Sequence, residues 1–92
     1  SSDENLKDNV ELIPNAVEKV KQIKGVSFDW NDKSKHSGHD VGVIAQDIEK
    51  VLPELVVTRE NGFKAVKYDK LVALLIQVNK ELIERIEKLE NK

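Results

Sequence analysis

The sequence has 92 residues, a formal charge of −2 and 35% charged side chains, so we expect one small domain that buries roughly 60 to 65% of the surface of its unfolded chain. Lysine and arginine are spread along the chain and cysteine is absent, which argues against a nucleic-acid partner, a disulfide framework, a thiolate zinc site and a cysteine nucleophile. No apolar run approaches the roughly 20 residues of a membrane span and the N-terminus is too polar for a signal peptide, so we expect a soluble module, or a piece of a longer protein, with no membrane partner.

The first third of the chain predicts an arm, a short helix and a strand. Residues 1–12 are polar and acidic with little periodicity, which is typical of an extended arm or linker. Pro14 suits the first turn of a helix and Gly25 supplies a stop, and between them apolar residues recur at helical spacing: Ala16, Val17, Val20 and Ile23. Alternation of apolar and polar residues then predicts a half-buried strand at Val26, Phe28 and Trp30.

The middle of the chain predicts a loop, a second strand, a second short helix, and then two further strands around a hairpin turn. After a loop at 31–38, a strand is expected at Val41, Val43 and Ile44. A helix ended by Pro53 is then predicted by an apolar stripe that consists of Ile48, Val51 and Leu52. Strand-like runs at 55–58 and 63–68 flank Asn61-Gly62, and Asn-Gly is the strongest short-range hairpin signal.

Apolar residues recur at helical spacing most clearly near the C-terminus, so a long helix is predicted from Asp69 to about Glu90. Asp69 is a good N-cap residue. Residues that recur in alternate steps of three and four occupy the a and d positions of three heptads: Val72, Leu75, Asn79, Leu82, Ile86 and Leu89. This seam predicts partner helices, and Asn79 among apolar neighbours would fix their register and number. Three heptads are near the minimum for a coiled coil, so the alternative is a monomeric helix on which Asn79 faces solvent.

The first half of the C-terminal helix carries more apolar residues than a seam requires. We expect these residues to pack on the helix's own domain: Leu71, Leu74, Ile76 and Val78. The predicted fold is therefore α+β, with a short N-terminal helix, a small antiparallel sheet with a hairpin, and a long C-terminal helix. Within the single domain 1–92 we distinguish an arm (1–12), an α+β body (13–68) and an association helix (69–92).

Ser2 and Lys7 are the leading candidates for chemistry. A serine hydroxyl becomes a good nucleophile only when a base removes its proton, and a lysine serves as that base when desolvation or a nearby cation favours its neutral form. Because the two residues lie five positions apart on a predicted arm, a bend or a neighbouring subunit must bring them together. The spacing alone does not distinguish such a dyad from a serine that caps a turn and a solvated lysine.

Other polar groups are weaker candidates. His36, His39 and Asp40 share one stretch of the chain, but two histidines at this spacing outside a helix seldom bind metal, so we expect neither a metal site nor a cofactor. His39 is also a candidate to orient a reacting group, since it precedes the predicted strand at Val41. Three acidic residues on or beside one short helix are better explained as a solvated face than as paired catalytic carboxylates: Asp47, Glu49 and Glu54.

Taken in order, several segments resemble one protein family over nearly the whole chain. They are SDENLKDNV (2–10), GVSFDW (25–30), VGVIAQDIE (41–49) and VLPEL (51–55), followed by Tyr68 and the long helix. The family is the intramolecular chaperone auto-processing domain of phage tailspikes, tail fibres and neck appendages. Related domains occur in the myelin regulatory factor of animals. Five motifs in the same order are far more specific than any one of them.

The resemblance implies a C-terminal domain that forms a homotrimer, guides folding of the upstream fibre of the same polypeptide, and then cuts itself off. It implies cleavage between Ser1 and Ser2, with Ser2 as the nucleophile and Lys7 as the general base. Ser1 lacks a lysine at that spacing, since Leu6 lies five positions after it. The C-terminal helix becomes the trimer axis. Assembly is then expected in the host cytoplasm, and the cleaved domain would leave the mature virion fibre.

Two positions depart from the family's pattern. Many members have arginine where Asn5 stands, and many have histidine two residues before the glycine matching Gly42, where this chain has Asp40. The adjacent His39 is a possible substitute, so His39 and Asp40 are candidates for an auxiliary role. The main alternative is a trimerisation and attachment module that does not cleave. A transcription-factor processing domain and an enzyme acting on small molecules fit the sequence less well.

Overall fold

Three helices and four short strands follow one another along the chain. The computed structural model describes residues 1–92. The helices are α1 (Ala16–Val20), α2 (Ala45–Val51) and α3 (Tyr68–Glu90), and the strands are β1 (Val26–Asp29), β2 (His39–Gly42), β3 (Val56–Thr58) and β4 (Lys64–Val66). Single 3-10 turns occur at Glu4–Leu6 and Pro53–Leu55. The predicted α+β class is confirmed. None of the helices combines the length and the apolar character needed to cross a membrane.

The strands form two separate antiparallel pairs, so the small sheet expected from the sequence is divided in two. In the first pair, Val26 lies opposite Gly42, and Asp29 lies opposite His39. The second predicted strand is therefore misplaced at its end, since Val43 lies outside β2. Its N–H donates to the Tyr68 hydroxyl at 3.1 Å instead of continuing the ladder.

The predicted hairpin at Asn61-Gly62 is confirmed. Strands β3 and β4 pair from Val56 opposite Val66 to Thr58 opposite Lys64. The connection closes when the N–H of Gly62 donates to the Arg59 carbonyl at 2.8 Å, and the N–H of Arg59 donates to the Phe63 carbonyl at 3.0 Å. Gly62 has φ of 86°, a left-handed conformation that glycine adopts without strain. The result is a three-residue loop, 60–62.

The helix ends differ from the sequence-based boundaries in three places. Asn15 precedes α1 with φ of 53°, so Pro14 lies before the helix and not in its first turn. Helix α1 ends at Val20, well before Gly25, because the next residues tighten into i to i+3 hydrogen bonds. Asp69 lies within the first turn of α3 and is not its N-cap. The end of α2 before Pro53 is as predicted.

The core lies where α1, α2 and the first half of α3 meet. Its seven buried residues are Ala16, Val17, Ile48, Leu52, Leu55, Leu74 and Val78. The Val17 N–H also donates to the Glu81 carboxylate at 3.4 Å, which joins the start of α1 to the middle of α3. Beyond Glu81 every residue of α3 is exposed. The second half of this helix therefore projects from the body.

Candidate functional site

The N-terminal residues lie in a groove on the folded body. Ser1 and Ser2 line a groove of about 620 Å³, together with apolar and charged side chains from the Pro53–Leu55 turn, the start of α3 and the segments nearby: Ile13, Leu52, Glu54, Leu55, Asp69, Lys70 and Ala73. The groove forms because the 3-10 turn after α2 and the first turn of α3 pack on the same core. Ser2, the predicted nucleophile, thus borders the body, although its side chain is exposed.

Lys7 does not share this groove. It follows the 3-10 turn Glu4–Leu6, where Asp3 caps the turn by accepting a hydrogen bond from the Asn5 N–H at 2.9 Å. Lys7 itself has extended backbone, with φ of −127° and ψ of 138°, and its side chain is exposed. Within the single chain, the structure does not bring Ser2 and Lys7 into one groove. The Ser-Lys dyad stays a prediction.

The cation that does line the Ser2 groove is Lys70, which the sequence analysis did not single out. It stands in the first turn of a long amphipathic helix, where a lysine is ordinarily a solvated surface residue. No feature of the sequence distinguishes it from neighbouring lysines, because its approach to Ser2 depends on how the arm returns to the body. The groove also holds two carboxylates, Glu54 and Asp69.

The auxiliary candidate His39 is engaged across the β1–β2 pair. Its Nδ1 lies 2.7 Å from the Asp29 carboxylate, its cross-strand partner. In the adjoining loop the His36 ring lies 4.9 Å from the Trp30 ring, centroid to centroid. His36 and His39 are not among the residues that line the Ser2 groove. The structure contains no group of three or more side chains placed to hold a metal ion.

Asp40, the other auxiliary candidate, accepts two hydrogen bonds at the protein surface. The Val41 N–H donates at 2.8 Å and the Trp30 indole N–H donates at 3.2 Å. These two donors, in that order of effect, hold the pKa of Asp40 below its ordinary value of 3.8. Asp40 is therefore an ionised acceptor that fixes the Trp30 side chain, and it does not line the Ser2 groove.

The exposed side of α3 is the second candidate site. The five apolar residues of the predicted seam are 40–66% exposed: Val72, Leu75, Leu82, Ile86 and Leu89. On the opposite side, Leu74 and Val78 are buried and Leu71 is half-buried against the body, as predicted. Ile76 was expected to pack there too, but it is exposed. Its helical position is only about 40° from that of Val72, so it belongs to the seam side.

The exposed apolar stripe is wider than a seam of a and d positions, because it also includes Ile76 and Ile83. Ile83 lies beside Ile76 along the helix and is 53% exposed. The stripe also contains Asn79, whose side-chain Nδ2–H donates to the Leu75 carbonyl at 2.8 Å. One amide N–H and the amide oxygen of Asn79 are then left for solvent or a partner helix. We call the full set of exposed residues the α3 stripe: Val72, Leu75, Ile76, Asn79, Leu82, Ile83, Ile86 and Leu89.

Comparisons with known proteins identify the family of the chain. A sequence profile of the Peptidase S74 family, described as chaperone of endosialidase, matches residues 2–57. The long tail fiber protein Gp37 of Enterobacteria phage K3 is 35% identical over 100 aligned positions, which cover 99% of this chain and 8% of that protein. Gp37 of Enterobacteria phage M1 is 35% identical over 96 positions, covering 97% of this chain and 38% of that protein. The chain thus spans less than half the length of these curated relatives.

Proposed function

The chain belongs to the Peptidase S74 family of endosialidase chaperones, and from this premise we propose that it trimerises through α3, guides assembly of an upstream phage fibre, and then releases itself by cleavage between Ser1 and Ser2. The observation that carries the assembly role is the α3 stripe, which stays exposed although the opposite side of the same helix is buried. Similarity to the long tail fibers of phages K3 and M1 supports a fibre as the upstream client.

Burial of the α3 stripe would supply the free energy for the proposed trimerisation. The stripe continues through the half of α3 that projects beyond the body, so a second and third copy can approach without displacing the core. Contiguous exposed apolar surface of this kind is typical of an interaction site. A stripe wider than an a/d seam suits three helices, in which each copy contacts two neighbours. Asn79 would keep the three copies in register, because a shifted register leaves its amide against apolar side chains.

A C-terminal trimer has a physical role in fibre assembly. Interwound fibre strands depend on contacts between distant residues and between chains, so they fold slowly. Three chains held at one end experience a high effective concentration of one another and start in register. Removing the clamp after assembly would delete one end from which the strands could separate, which increases kinetic stability. Assembly would take place in the host cytoplasm, and the released domain would not remain on the virion.

The cleavage chemistry is assigned to Ser2 and Lys7. Lys7 as a neutral amine accepts the Ser2 hydroxyl proton while Oγ attacks the Ser1 carbonyl carbon. The Ser1–Ser2 C–N bond then breaks, the proton passes to the departing amine, and an ester joins the Ser1 acyl group to Ser2 Oγ. Water hydrolyses this ester to a carboxylate and the free hydroxyl. His39 and Asp40 are proposed as auxiliary residues that act if assembly brings their strand to the cleavage site.

Because Ser2 and Lys7 are separated in the single chain, cleavage would have to wait for assembly. Lys7 is exposed and lies outside the Ser2 groove, so a lone chain would lack the desolvated base that the reaction requires. We expect the trimer to bring Lys7 to Ser2 and thereby to couple cleavage to assembly. Cleavage by a dilute monomer at the rate of the trimer would contradict this coupling. The same separation also favours the alternative, a trimerisation and attachment module that never cleaves.

Intact mass measurement of the chain with its natural upstream residues tests the proposal. Wild type should split between Ser1 and Ser2, whereas Ser2→Ala and Lys7→Ala should stay full length. Matched controls are Ser1→Ala, the neighbouring serine, and Lys24→Ala, an exposed lysine elsewhere, both of which should cleave normally. Light scattering on the same samples gives the number of chains. A trimeric wild type that stays full length would establish the non-cleaving module instead.

A further inference from the structure

The N-terminal arm leaves the body between two anchored ends. Ser2 and Ile13 line the same groove, so the residues between them form a loop that starts and finishes at one place on the body. Three apolar side chains on this loop are nevertheless 73–75% exposed: Leu6, Val10 and Leu12. Aliphatic side chains on an anchored loop remain in water here because the single chain offers them no contact.

The same loop carries a concentration of negative charge. It contains one lysine and four carboxylates: Asp3, Glu4, Asp8 and Glu11. None of these carboxylates forms an ion pair in the structure. The arm therefore presents a mixed apolar and acidic surface with no partner of its own. A complementary surface would be apolar and basic.

The outer side of the β3–β4 hairpin has this complementary character. The register of β3 and β4 shows which residues lie on this side, because side chains alternate between the two sides of a strand. Val56 and Val66 pack against the core, and Lys64 on the same side pairs with Glu49 of α2 at 2.7 Å. The opposite side therefore carries the residues of the alternate positions: Val57, Arg59, Phe63 and Ala65.

Val57 and Phe63 on this outer side are 44% and 56% exposed. Arg59 and the nearby Lys67 are exposed cations that form no ion pair in the structure. The carboxylates close to them in sequence are Glu60, after Arg59, and Asp69, two residues after Lys67. The β1–β2 pair also exposes an apolar residue, Val41, but the same pair carries two aspartates, Asp29 and Asp40, which would repel an acidic arm.

We infer that, in the assembled protein, the arm of one copy docks on the outer side of the β3–β4 hairpin of a neighbouring copy, with Leu6, Val10 and Leu12 against Val57 and Phe63, and with the arm carboxylates near Arg59 and Lys67. This inference rests on the proposed trimer, which supplies the neighbouring copies. Ordering the arm between subunits would also hold Lys7 in one place only after assembly, which is the condition that the proposed cleavage needs.

Crosslinking between introduced cysteines tests the docking, because the native chain has none. A Val10→Cys/Val57→Cys chain treated with a short bis-maleimide should give covalent dimers and trimers in a denaturing gel. The control Val10→Cys/Val41→Cys places the second thiol on an apolar site of the other strand pair that is even more accessible, 72% exposed against 44% for Val57. This control should crosslink at least about ten-fold more slowly, because docking would not bring its two thiols together and raise their effective concentration.

A charge exchange provides the second measurement. Arg59→Glu in the Val10→Cys/Val57→Cys chain should slow crosslinking between copies by about two- to five-fold, the range expected for an exposed charge pair. Adding Asp8→Lys should restore the rate. Crosslinks confined to single chains, equal rates for Val57→Cys and Val41→Cys, or no effect of either charge change would overturn the inference.

The proposed function and the docking fail separately in these experiments. A chain that is trimeric by light scattering and cleaves normally, yet forms no Val10–Val57 crosslink between copies, contradicts the docking alone. A chain that is monomeric at every concentration contradicts the proposed assembly, and with it the docking.

Discussion

Replacing Ile86 with alanine tests whether the α3 stripe joins chains, at a position where the change should not disturb the folded monomer. Ile86 lies in the half of α3 that projects beyond the body, and it is 53% exposed in the single chain. Because Ile86 belongs neither to the buried core nor to the half-buried residues packed against it, alanine there should leave the folded monomer intact. Alanine is also a better helix former than isoleucine, so loss of helix is not expected.

The expected effect can be worked from the exposed fraction. Fully burying an isoleucine side chain stabilises by about 1.5–3 kcal/mol, so burying its exposed half in a trimer contributes roughly 1 kcal/mol per chain. Three chains lose about 3 kcal/mol together, which is about a 150-fold weaker trimerisation constant. Because that constant scales with the square of the concentration, the midpoint of assembly should rise by roughly ten-fold.

Sedimentation velocity over a dilution series measures this midpoint. Glu84→Ala is the matched control, since Glu84 is an exposed residue of the same projecting half outside the stripe. Circular dichroism of both variants would verify that the monomer folds. If Ile86→Ala and Glu84→Ala assemble with the same midpoint, the stripe does not join the chains and the reasoning from its exposure is wrong.

Three further substitutions probe the fold and the surface around the strands. Leu74→Ala should cost about 2–5 kcal/mol in chemical denaturation, because Leu74 is 1% exposed in the core; a loss below about 1 kcal/mol would mean the core is not packed there. Gly42→Ala should destabilise the folded protein, since the added Cβ would lie 2.7 Å from the Tyr68 hydroxyl. Adding Tyr68→Phe removes that hydroxyl and should recover part of the lost stability. If the stability changes of the two substitutions simply add, the clash is not the cause. The pKa of Asp40 is lowered by its hydrogen bonds from the Val41 N–H and then the Trp30 indole N–H, so the stability that they give is present above the ordinary carboxyl pKa of 3.8 and is lost as pH falls through the lower folded value. The Trp30 indole N–H resonance should accordingly titrate below pH 3.8, and Asp40→Asn should abolish that titration.

Local rules determined much of the secondary structure directly from the sequence. Asn61-Gly62 specified the hairpin because a left-handed residue is required at Gly62. Pro53 ended α2 because proline cannot continue the hydrogen-bond ladder. The period of apolar residues after Tyr68 specified a long helix with two distinct sides. Each of these signals acts between residues close in sequence, which is why the sequence alone contains them.

Sequence rules failed where contacts between distant segments decide the outcome. Val43 continues an apolar strand pattern, yet it leaves the ladder to bond Tyr68, 25 residues away. Ile76 is different: it is as apolar as Leu74, yet it is exposed while Leu74 is buried. Helical periodicity already separates the two residues by about 200°, so the expectation that both pack on the body is a wrong reading of a local pattern.

The candidate site divides in the same way. The order of motifs identified the family, and with it Ser2 and Lys7 as the residues to test, because sequence preserves the identity and spacing of reactive groups. Only the tertiary structure placed Ser2 in a groove with Lys70 and left Lys7 outside it. The reason is physical: the return of the arm to the body depends on contacts of Ile13 with residues of the core, which are distant in sequence and meet only after the chain has folded.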